Sequence, residues 1–234
     1  MRRIIVVALS ALACAVLSAG PAAAAPPRAA GSQNPVIFVH GRNAGPGVWG
    51  GLTAYFEQHG YSKDRLFAWS YDSSQSTNEV LDGRLASYVE EVLSKTGAQQ
   101  VDLVAHSLGS LPTRWYVKFG AGQQTVDHWV SLAGPNHGTD VAWLCAAFDQ
   151  GCRDMAPGSY VISKLNSGAE SPGPVRYTTF WSACDEQIVP AQSTPLSGAT
   201  NIQTTCLKHN DLLTDPEVAS RLVCGPGELT VAPT

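Results

Sequence analysis

Ser107 stands where its hydroxyl could act as a nucleophile. It follows the apolar run 101–106, which predicts a buried strand, and a new periodic segment begins directly after it. Ala105 and Gly109 flank the serine, and small residues suit a sharp turn that lifts a serine hydroxyl out of a sheet. A serine hydroxyl is a weak nucleophile until a base and an oxyanion site act on it. The same sequence pattern also occurs in ordinary loops between a strand and a helix. Whether the chain supplies a base and an oxyanion site therefore decides between a nucleophile and an ordinary loop serine.

The base should be a histidine, and in chains with this kind of turn it follows both the serine and the acid. Three of the six histidines lie after the serine: His128, His137 and His209. His128 falls inside a predicted strand and is expected to pack there, whereas His137 lies in a turn and could line the site. His209 occupies the last loop before the final predicted helix, from which a side chain can reach back over the sheet. We therefore predict His209 as the general base.

The acid that orients this histidine should lie between Ser107 and His209. Asp185 follows directly on a predicted strand, at the carboxyl edge where open parallel sheets keep their ligands. Glu186 is the neighbouring competitor. Three further aspartates lie in an irregular stretch without a strand end to hold them firmly, and these are Asp140, Asp149 and Asp154. Asp185 is therefore the predicted acid, with a plain turn-capping carboxylate as the alternative.

Two backbone N–H groups are candidates for an oxyanion hole. One belongs to Leu108, the residue after the nucleophile, and the other to Arg42, in the loop after the first predicted strand. Because only the backbone of Arg42 would act, its side chain is expected to tolerate change. A nucleotide-binding loop is the other interpretation of this glycine-rich stretch, but 40–45 lacks the Gly-x-Gly-x-x-Gly spacing.

The elements that must position these residues alternate along the chain. Predicted strands span 35–40, 65–69, 99–106, 126–132, 175–182 and 201–206, and predicted helices span 49–59, 78–96, 108–119, 141–148, 159–165 and 216–223. Strands that alternate with helices indicate an α/β fold with a mostly parallel central sheet and helices on both faces. The loosely patterned segment 141–165 is interpreted either as a partial cover beside the site or as a plain connecting helix pair.

The first residues have the pattern of an export signal. Two arginines precede an apolar run and a small-residue exit, so we predict a secretory signal peptide at 1–24, a disordered leader at 25–33 and one catalytic domain at 34–234. The apolar run is too short to span a bilayer comfortably, so a secreted protein without stable membrane insertion is expected. A lipoprotein signal at Cys14 is the alternative.

Charge and cysteine content narrow the partners. The net charge of −4 becomes −6 once Arg2 and Arg3 are removed, and no basic cluster exists, so nucleic acid is not an expected partner. Export permits disulfides. We predict Cys145–Cys152, which flank a short turn, and Cys184–Cys206, because contact between Asp185 and His209 would bring those neighbours together. Cys224 would then be free; the rival pairing joins it to Cys206. The sequence has no Cys-x-x-Cys spacing, the pattern that would favour a zinc site over disulfides.

Several motifs together resemble one protein family. Val39-His40-Gly41 with its glycine-rich loop, the elbow around Ser107, and the late Asp185 and His209 look like the small secreted bacterial lipases of lipase class 2. The resemblance runs from about Pro35 to the last predicted helix. It implies a minimal α/β-hydrolase fold that cleaves carboxylic esters, often acylglycerols, without a metal or other cofactor. It also implies Ser107, Asp185 and His209 as the triad, with Arg42 and Leu108 as oxyanion donors.

Other functions remain open on the same scaffold. The expected substrate is an ester or lipid, which the protein would bind at a lipid–water interface. The protein is expected to be a monomer. A polyester, phospholipid or thioester hydrolase, or an acyltransferase, would use the same residues, since fold alone does not fix function. A non-catalytic, hydrolase-like secreted binding protein is the alternative from another class, and it predicts a broken triad.

Overall fold

A parallel sheet forms the centre of the computed structural model, which describes residues 33–223 and Leu229. In this described part of the chain the sheet has six strands in the order β2-β1-β3-β4-β5-β6, and every neighbouring pair is parallel. The strands are β1 (Val36–Val39), β2 (Leu66–Trp69), β3 (Val101–His106), β4 (Val126–Leu132), β5 (Arg176–Trp181) and β6 (Thr200–Gln203). The order changes direction at β1 and β3, and this is where open α/β sheets place their sites.

Helices connect the strands. They are α1 (Gly50–Gln58), α2 (Asp82–Thr96), α3 (Ser110–Phe119), α4 (Gly122–Thr125), α5 (Gln150–Met155), α6 (Tyr160–Leu165) and α7 (Pro216–Leu222). Short 3₁₀ stretches cover Pro46–Trp49, Lys63–Arg65, Ser107–Gly109, Asp140–Leu144, Ala191–Ser193 and His209–Leu213, and a π-helical turn, Thr77–Leu81, precedes α2. The α/β fold with a parallel central sheet, predicted from the alternation of elements, is confirmed.

Two apolar layers cover the two faces of the sheet. Successive side chains of β1 point to opposite faces, so Phe38 packs with α1 and α7 while Ile37 packs with α2 and α3. All four residues of β1 are completely buried. A strand buried on both faces is expected to be continuously apolar rather than alternating, and this explains the Val-Ile-Phe-Val run.

The structure corrects the prediction for the irregular middle of the chain. The helix predicted at 141–148 is a 3₁₀ stretch, Asp140–Leu144, and helix α5 was not predicted. Trp143, Leu144 and Phe148 are 60%, 81% and 77% exposed, so they provide no buried face on which a helix could pack. Helix α5 begins instead at a side-chain cap, because Asp149 accepts the N–H of Cys152.

Some predictions fall on residues that the structure does not describe. The signal peptide at 1–24, nearly all of the leader at 25–33 and the free Cys224 lie outside the described residues. Within the described part of the chain, no helix has the length and apolar character needed to cross a membrane.

Candidate active site

Ser107 lies on a strained turn between β3 and α3. Its φ is 53°, in the left-handed region that most residues avoid. The turn is crowded: a Cβ on Gly109 would stand 2.6 Å from the carbonyl oxygens of Val39 and His40. A Cβ on Gly41 would lie 2.9 Å from the Cβ of Ser107. Glycine is therefore required at both positions for the first strand's exit loop to lie against the nucleophile candidate.

His209 and Asp185 form a buried pair. Nδ1 of His209 lies 2.9 Å from Oδ2 and 3.1 Å from Oδ1 of Asp185, and both side chains are 2% exposed. Asp185 Oδ1 also accepts the N–H groups of Gln187 and Ile188. Burial alone would raise the pKa of Asp185, but its hydrogen bonds to His209 and to these two N–H groups hold the pKa below its usual value. The carboxylate is therefore ionised at neutral pH and can fix the orientation of the ring.

Ser107 and His209 line one cavity of about 440 Å³. Among the described residues no hydrogen bond joins the Ser107 hydroxyl to the His209 ring. Such contacts are often long in ligand-free enzymes and tighten when substrate binds. The remaining wall is mixed: Val48, Val141, Ala142, Met155, Ile188 and Leu213 are apolar, whereas Asn43, Thr139, Gln187 and Asn210 are polar. The structure therefore brings Ser107 and His209 to one cavity, with Asp185 in contact with the His209 ring.

The two predicted oxyanion donors lie next to this cavity. Arg42 lines it, and no residue of the described chain accepts a hydrogen bond from its backbone N–H. Leu108 is the second residue of the helical stretch that begins at Ser107, where N–H groups have no partner within the helix. Both groups are thus available to a negatively charged oxygen formed near Ser107.

The competing histidines are engaged elsewhere. His137 is absent from the cavity wall formed by the described residues, which corrects the expectation that it could line the site. Its ring contacts Glu170 Oε1 at 2.9 Å and the carbonyl oxygen of Ser193 at 3.0 Å. His128 is buried in β4 as predicted, with Nε2 2.9 Å from the hydroxyl of Thr178.

Two of the three competing aspartates are engaged elsewhere, and the prediction that the irregular stretch would hold no carboxylate firmly was wrong. Asp149 and Asp154 are firmly held despite lying away from any strand end: Asp149 pairs with Arg42, and Asp154 accepts the N–H of Thr77 at 2.7 Å. Glu186 accepts the backbone N–H of His209 at 3.1 Å rather than contacting its ring.

His106 is a site residue to which the sequence assigned no role. Its Nε2 lies 3.2 Å from the carbonyl oxygen of His209, and the two ring centroids are 4.7 Å apart. Burial lowers the pKa of His106 to about 3, so the ring is neutral at working pH, and Nε2 must carry the proton to donate to a carbonyl. Its position beside Ser107 was the only available signal.

Two disulfides hold loops that carry residues of the site. Cys184–Cys206 joins the residue before Asp185 to the loop that carries His209, and Cys145–Cys152 closes the turn that leads into α5. These are the two pairs predicted from the sequence. Within the described residues no group of three or more His, Cys, Asp or Glu side chains could hold a metal ion.

Comparison with known proteins gives consistent matches. The family model described as lipase (class 2) matches residues 33–219. A triacylglycerol lipase from Burkholderia plantarii is 31% identical over 147 residues, which are 58% of this chain and 39% of that protein. Another from Pseudarthrobacter phenanthrenivorans is 30% identical over 48% of this chain and 36% of its own length. The chain thus matches less than two fifths of the length of these relatives.

Two solved structures share the fold. Aspergillus fumigatus lipase B superimposes with a TM-score of 0.68 at 21% identity, over 83% of this chain and 54% of that chain. Bacillus licheniformis lipase BlEst2 in its mature form gives a TM-score of 0.68 at 17% identity, over 78% and 87% of the two chains. The minimal α/β-hydrolase fold implied by the sequence resemblance is confirmed.

Proposed function

The chain belongs to the class 2 lipase family, and from this premise we propose that it hydrolyses carboxylic esters with Ser107, His209 and Asp185 as its catalytic triad. The observation that carries this proposal is the buried hydrogen bond between His209 and Asp185 at the cavity that Ser107 also lines. A triad needs such a base, already oriented by a carboxylate, next to the nucleophile.

The reaction has two balanced halves. His209 Nε2 takes the proton from Ser107 as Oγ attacks the ester carbonyl carbon, and a tetrahedral oxyanion forms. Collapse of this intermediate breaks the bond to the alcohol, which leaves with the proton from His209, and the acyl group stays on Ser107. Water then attacks the carbonyl carbon of the acyl-enzyme while His209 takes one of its protons. The second tetrahedral intermediate collapses with cleavage of the bond to Ser107 Oγ, His209 returns the proton to Oγ, and the acid is released. Asp185 stabilises the histidine ring in its charged form throughout.

The oxyanion would be stabilised by the N–H groups of Arg42 and Leu108. Neither N–H group has to give up an existing hydrogen bond before it donates to the oxyanion, so both are arranged before the reaction begins. Losing one such donor typically costs about 3–4 kcal/mol of transition-state stabilisation. This arrangement needs no metal ion or other cofactor, since backbone dipoles supply the positive end.

The proposed substrates are lipid esters, acylglycerols among them. The apolar side chains of the cavity wall suit an acyl chain, while its polar groups around Ser107 suit the ester group. The curated relatives are named triacylglycerol lipases, which supports the same class. An apolar substrate of this kind is met at a lipid–water interface, and the chain is proposed to act there as a monomer.

Secretion forms part of the same proposal. Residues 1–24 would direct export and be removed, 25–33 would form a leader, and 34–234 would form the single catalytic domain. The two disulfides fit an oxidising compartment. N-terminal sequencing of protein recovered from culture medium tests this, with Ala25 expected as the first residue.

The decisive experiment compares the purified protein with Ser107→Ala. Initial rates on dissolved p-nitrophenyl butyrate and acid release from emulsified tributyrin should both fall to near background, while the melting temperature stays close to that of the wild type. A fluorophosphonate should label the wild type at Ser107 and leave the variant unlabelled. Wild-type rates in Ser107→Ala, or a wild type that neither turns over nor is labelled, would overturn the proposal and favour a binding protein.

A further inference from the structure

The loop 41–44, which carries the proposed oxyanion donor Arg42, is anchored on both sides of that residue. Before it, the hydroxyl of Tyr71 donates to the carbonyl oxygen of His40 at 2.5 Å, and the Tyr71 and His40 rings stack with centroids 4.3 Å apart. After it, the N–H of Asn43 donates to the Ser73 hydroxyl at 3.0 Å. Asn43 has a φ of 55°, so the backbone turns sharply directly after Arg42. The peptide of Arg42 itself lies between these anchors.

The side chain of Arg42 provides a third anchor. Its Nε and Nη2 donate to one oxygen of Asp149, Oδ2, at 3.1 Å and 3.0 Å. The other carboxylate oxygen, Oδ1, accepts the N–H of Cys152 at 2.9 Å. Asp149 lies inside the turn closed by the Cys145–Cys152 disulfide, so its backbone has little freedom to move. The Arg42 guanidinium is therefore fixed to a rigid point on the 141–165 segment.

Asp149 is ionised when it holds this guanidinium. Burial would raise its pKa, but the hydrogen bonds from Arg42 and from the N–H groups of Cys152 and Gly151 outweigh burial and hold the pKa below its usual value. The Arg42 side chain is 28% exposed and that of Asp149 is 12% exposed, so water screens the pair only in part.

We propose that the Arg42–Asp149 ion pair is a positioning device that holds the backbone N–H of Arg42 in the direction of the oxyanion. This rests on the proposed function and adds a role for a side chain that the sequence led us to consider replaceable. The ion pair is not expected to bind the ester, because the Arg42 guanidinium is held by Asp149 Oδ2. Its loss should therefore lower kcat and leave KM nearly unchanged, since an oxyanion donor acts on the transition state.

Two single variants and their combination test this proposal. Arg42→Met keeps the length of the side chain without its charge. Asp149→Asn removes the carboxylate charge but retains an oxygen that can accept the N–H of Cys152, so α5 keeps its cap. Each should lower kcat about 10-fold, less than the ~10²–10³-fold cost of removing an oxyanion donor, because the N–H is misdirected rather than lost. The double variant should be no slower than the slower single variant.

Arg221→Met is the matched control. Arg221 donates through Nε and Nη2 to one oxygen of Glu217 at 3.1 Å and 2.9 Å, and its side chain is also 28% exposed. Arg221→Met therefore removes an ion pair with the same donor atoms and similar distances at a surface helix, where the carboxylate is 50% exposed against 12% for Asp149. Its kcat should stay within about twofold of the wild type, since exposed pairs of this kind contribute little.

Rates are measured per active site, with fluorophosphonate titration giving the active enzyme concentration, so partial unfolding cannot lower the kcat. Unchanged kcat in Arg42→Met, a raised KM at constant kcat, or additive losses in the double variant would each overturn the proposal. If Arg42→Met fails to fold, Asp149→Asn tests the proposal in its place, with a lowered kcat and an unchanged KM as the expected result. A wild type that turns over, with an inactive Ser107→Ala and a fully active Arg42→Met, would leave the proposed function standing while this inference fails.

Discussion

Glu186 accepts the backbone N–H of His209 with its side-chain Oε2 at 3.1 Å, while the adjacent Asp185 contacts the ring of the same histidine. Two neighbouring carboxylates thus hold one histidine at different points. Asp185 is buried and can select the histidine tautomer, whereas Glu186 is exposed and fixes only the start of the 3₁₀ stretch His209–Leu213.

This division predicts opposite outcomes for two isosteric substitutions. Asp185→Asn should lower kcat by roughly 10³–10⁴-fold, because the amide favours the wrong tautomer of His209. Glu186→Gln should stay within about threefold of the wild type, since its amide oxygen can still accept the same N–H. Steady-state kinetics on a dissolved ester checks both, and a greater loss in Glu186→Gln would reverse the assignment.

The candidate site could be predicted where local signals sufficed. Ser107 ends a strand between two small residues, and Asp185 directly follows another strand, so parallel-sheet topology alone brings both to the same edge of the sheet. His209 was selected by chain order. Each of these inferences uses only neighbours in sequence and the direction of the strands.

The remaining contacts could not be predicted, because they join distant parts of the chain without a local pattern. Arg42 and Asp149 are 107 residues apart, and His106 reaches a carbonyl 103 residues further along. Helix α5 depends on one side-chain cap and a disulfide rather than on an apolar face, so hydrophobic periodicity missed it. The exposed apolar residues of the 141–165 segment had the opposite effect: their spacing predicted a helix at 141–148 that the structure does not contain.

His106 should act through the backbone of His209, and two amide variants separate this role from simple packing. The amide nitrogen of Gln matches Nε2 of histidine in position, whereas that of Asn matches Nδ1, so only His106→Gln can still donate to the carbonyl of His209. His106→Asn should lower kcat about 10-fold, the order of effect expected when a catalytic group is misplaced by less than 1 Å. His106→Gln should recover most of that loss. Equal rates in the two variants would mean that the hydrogen bond has no catalytic consequence.

The exposed apolar side chains of the 141–165 segment should matter for aggregated substrate. This segment contributes Val141, Ala142 and Met155 to the cavity wall, and it exposes Leu144 and Phe148 to solvent. Replacing both exposed residues by Ser should lower the rate on emulsified tributyrin by ~10-fold, the effect of losing about 1.4 kcal/mol of apolar burial at the interface.

The same double variant should hydrolyse dissolved p-nitrophenyl butyrate at the wild-type rate, which provides the internal control. A wild-type rate that follows dissolved ester alone, with no rise when an emulsion forms, would favour the plain connecting segment. Equal losses on both substrates would indicate a damaged cavity wall rather than a lost contact with lipid.

Asp102 should make the stability of the fold depend on pH. It is buried at the start of β3, where it faces Asp127, Arg176, the side chain of Asn34 and the backbone N–H of His128. Burial first, and the charge of Asp127 second, raise the pKa of Asp102 to about 7. Asn34, Arg176 and the N–H of His128 act in the opposite direction without cancelling this rise.

The sign of the effect follows from proton linkage. In the unfolded chain the carboxyl has a pKa of about 3.9. Between about pH 4 and 7 the folded protein therefore keeps a proton that the unfolded chain has released. The contribution of Asp102 to stability is therefore fully present below about pH 4 and is lost as the pH rises through about 7.

Asp102→Asn replaces the neutral carboxyl by a neutral amide that cannot ionise, and its amide group can donate to Asp127. Thermal unfolding should show a Tm gain of about 4 °C or more at pH 8.5, as ~1–2 kcal/mol would give in a domain of this size, and less than half of that gain at pH 4.5. A Tm difference that is the same at both pH values, or a variant that is less stable at pH 8.5, would mean that Asp102 is ionised in the folded protein at little cost.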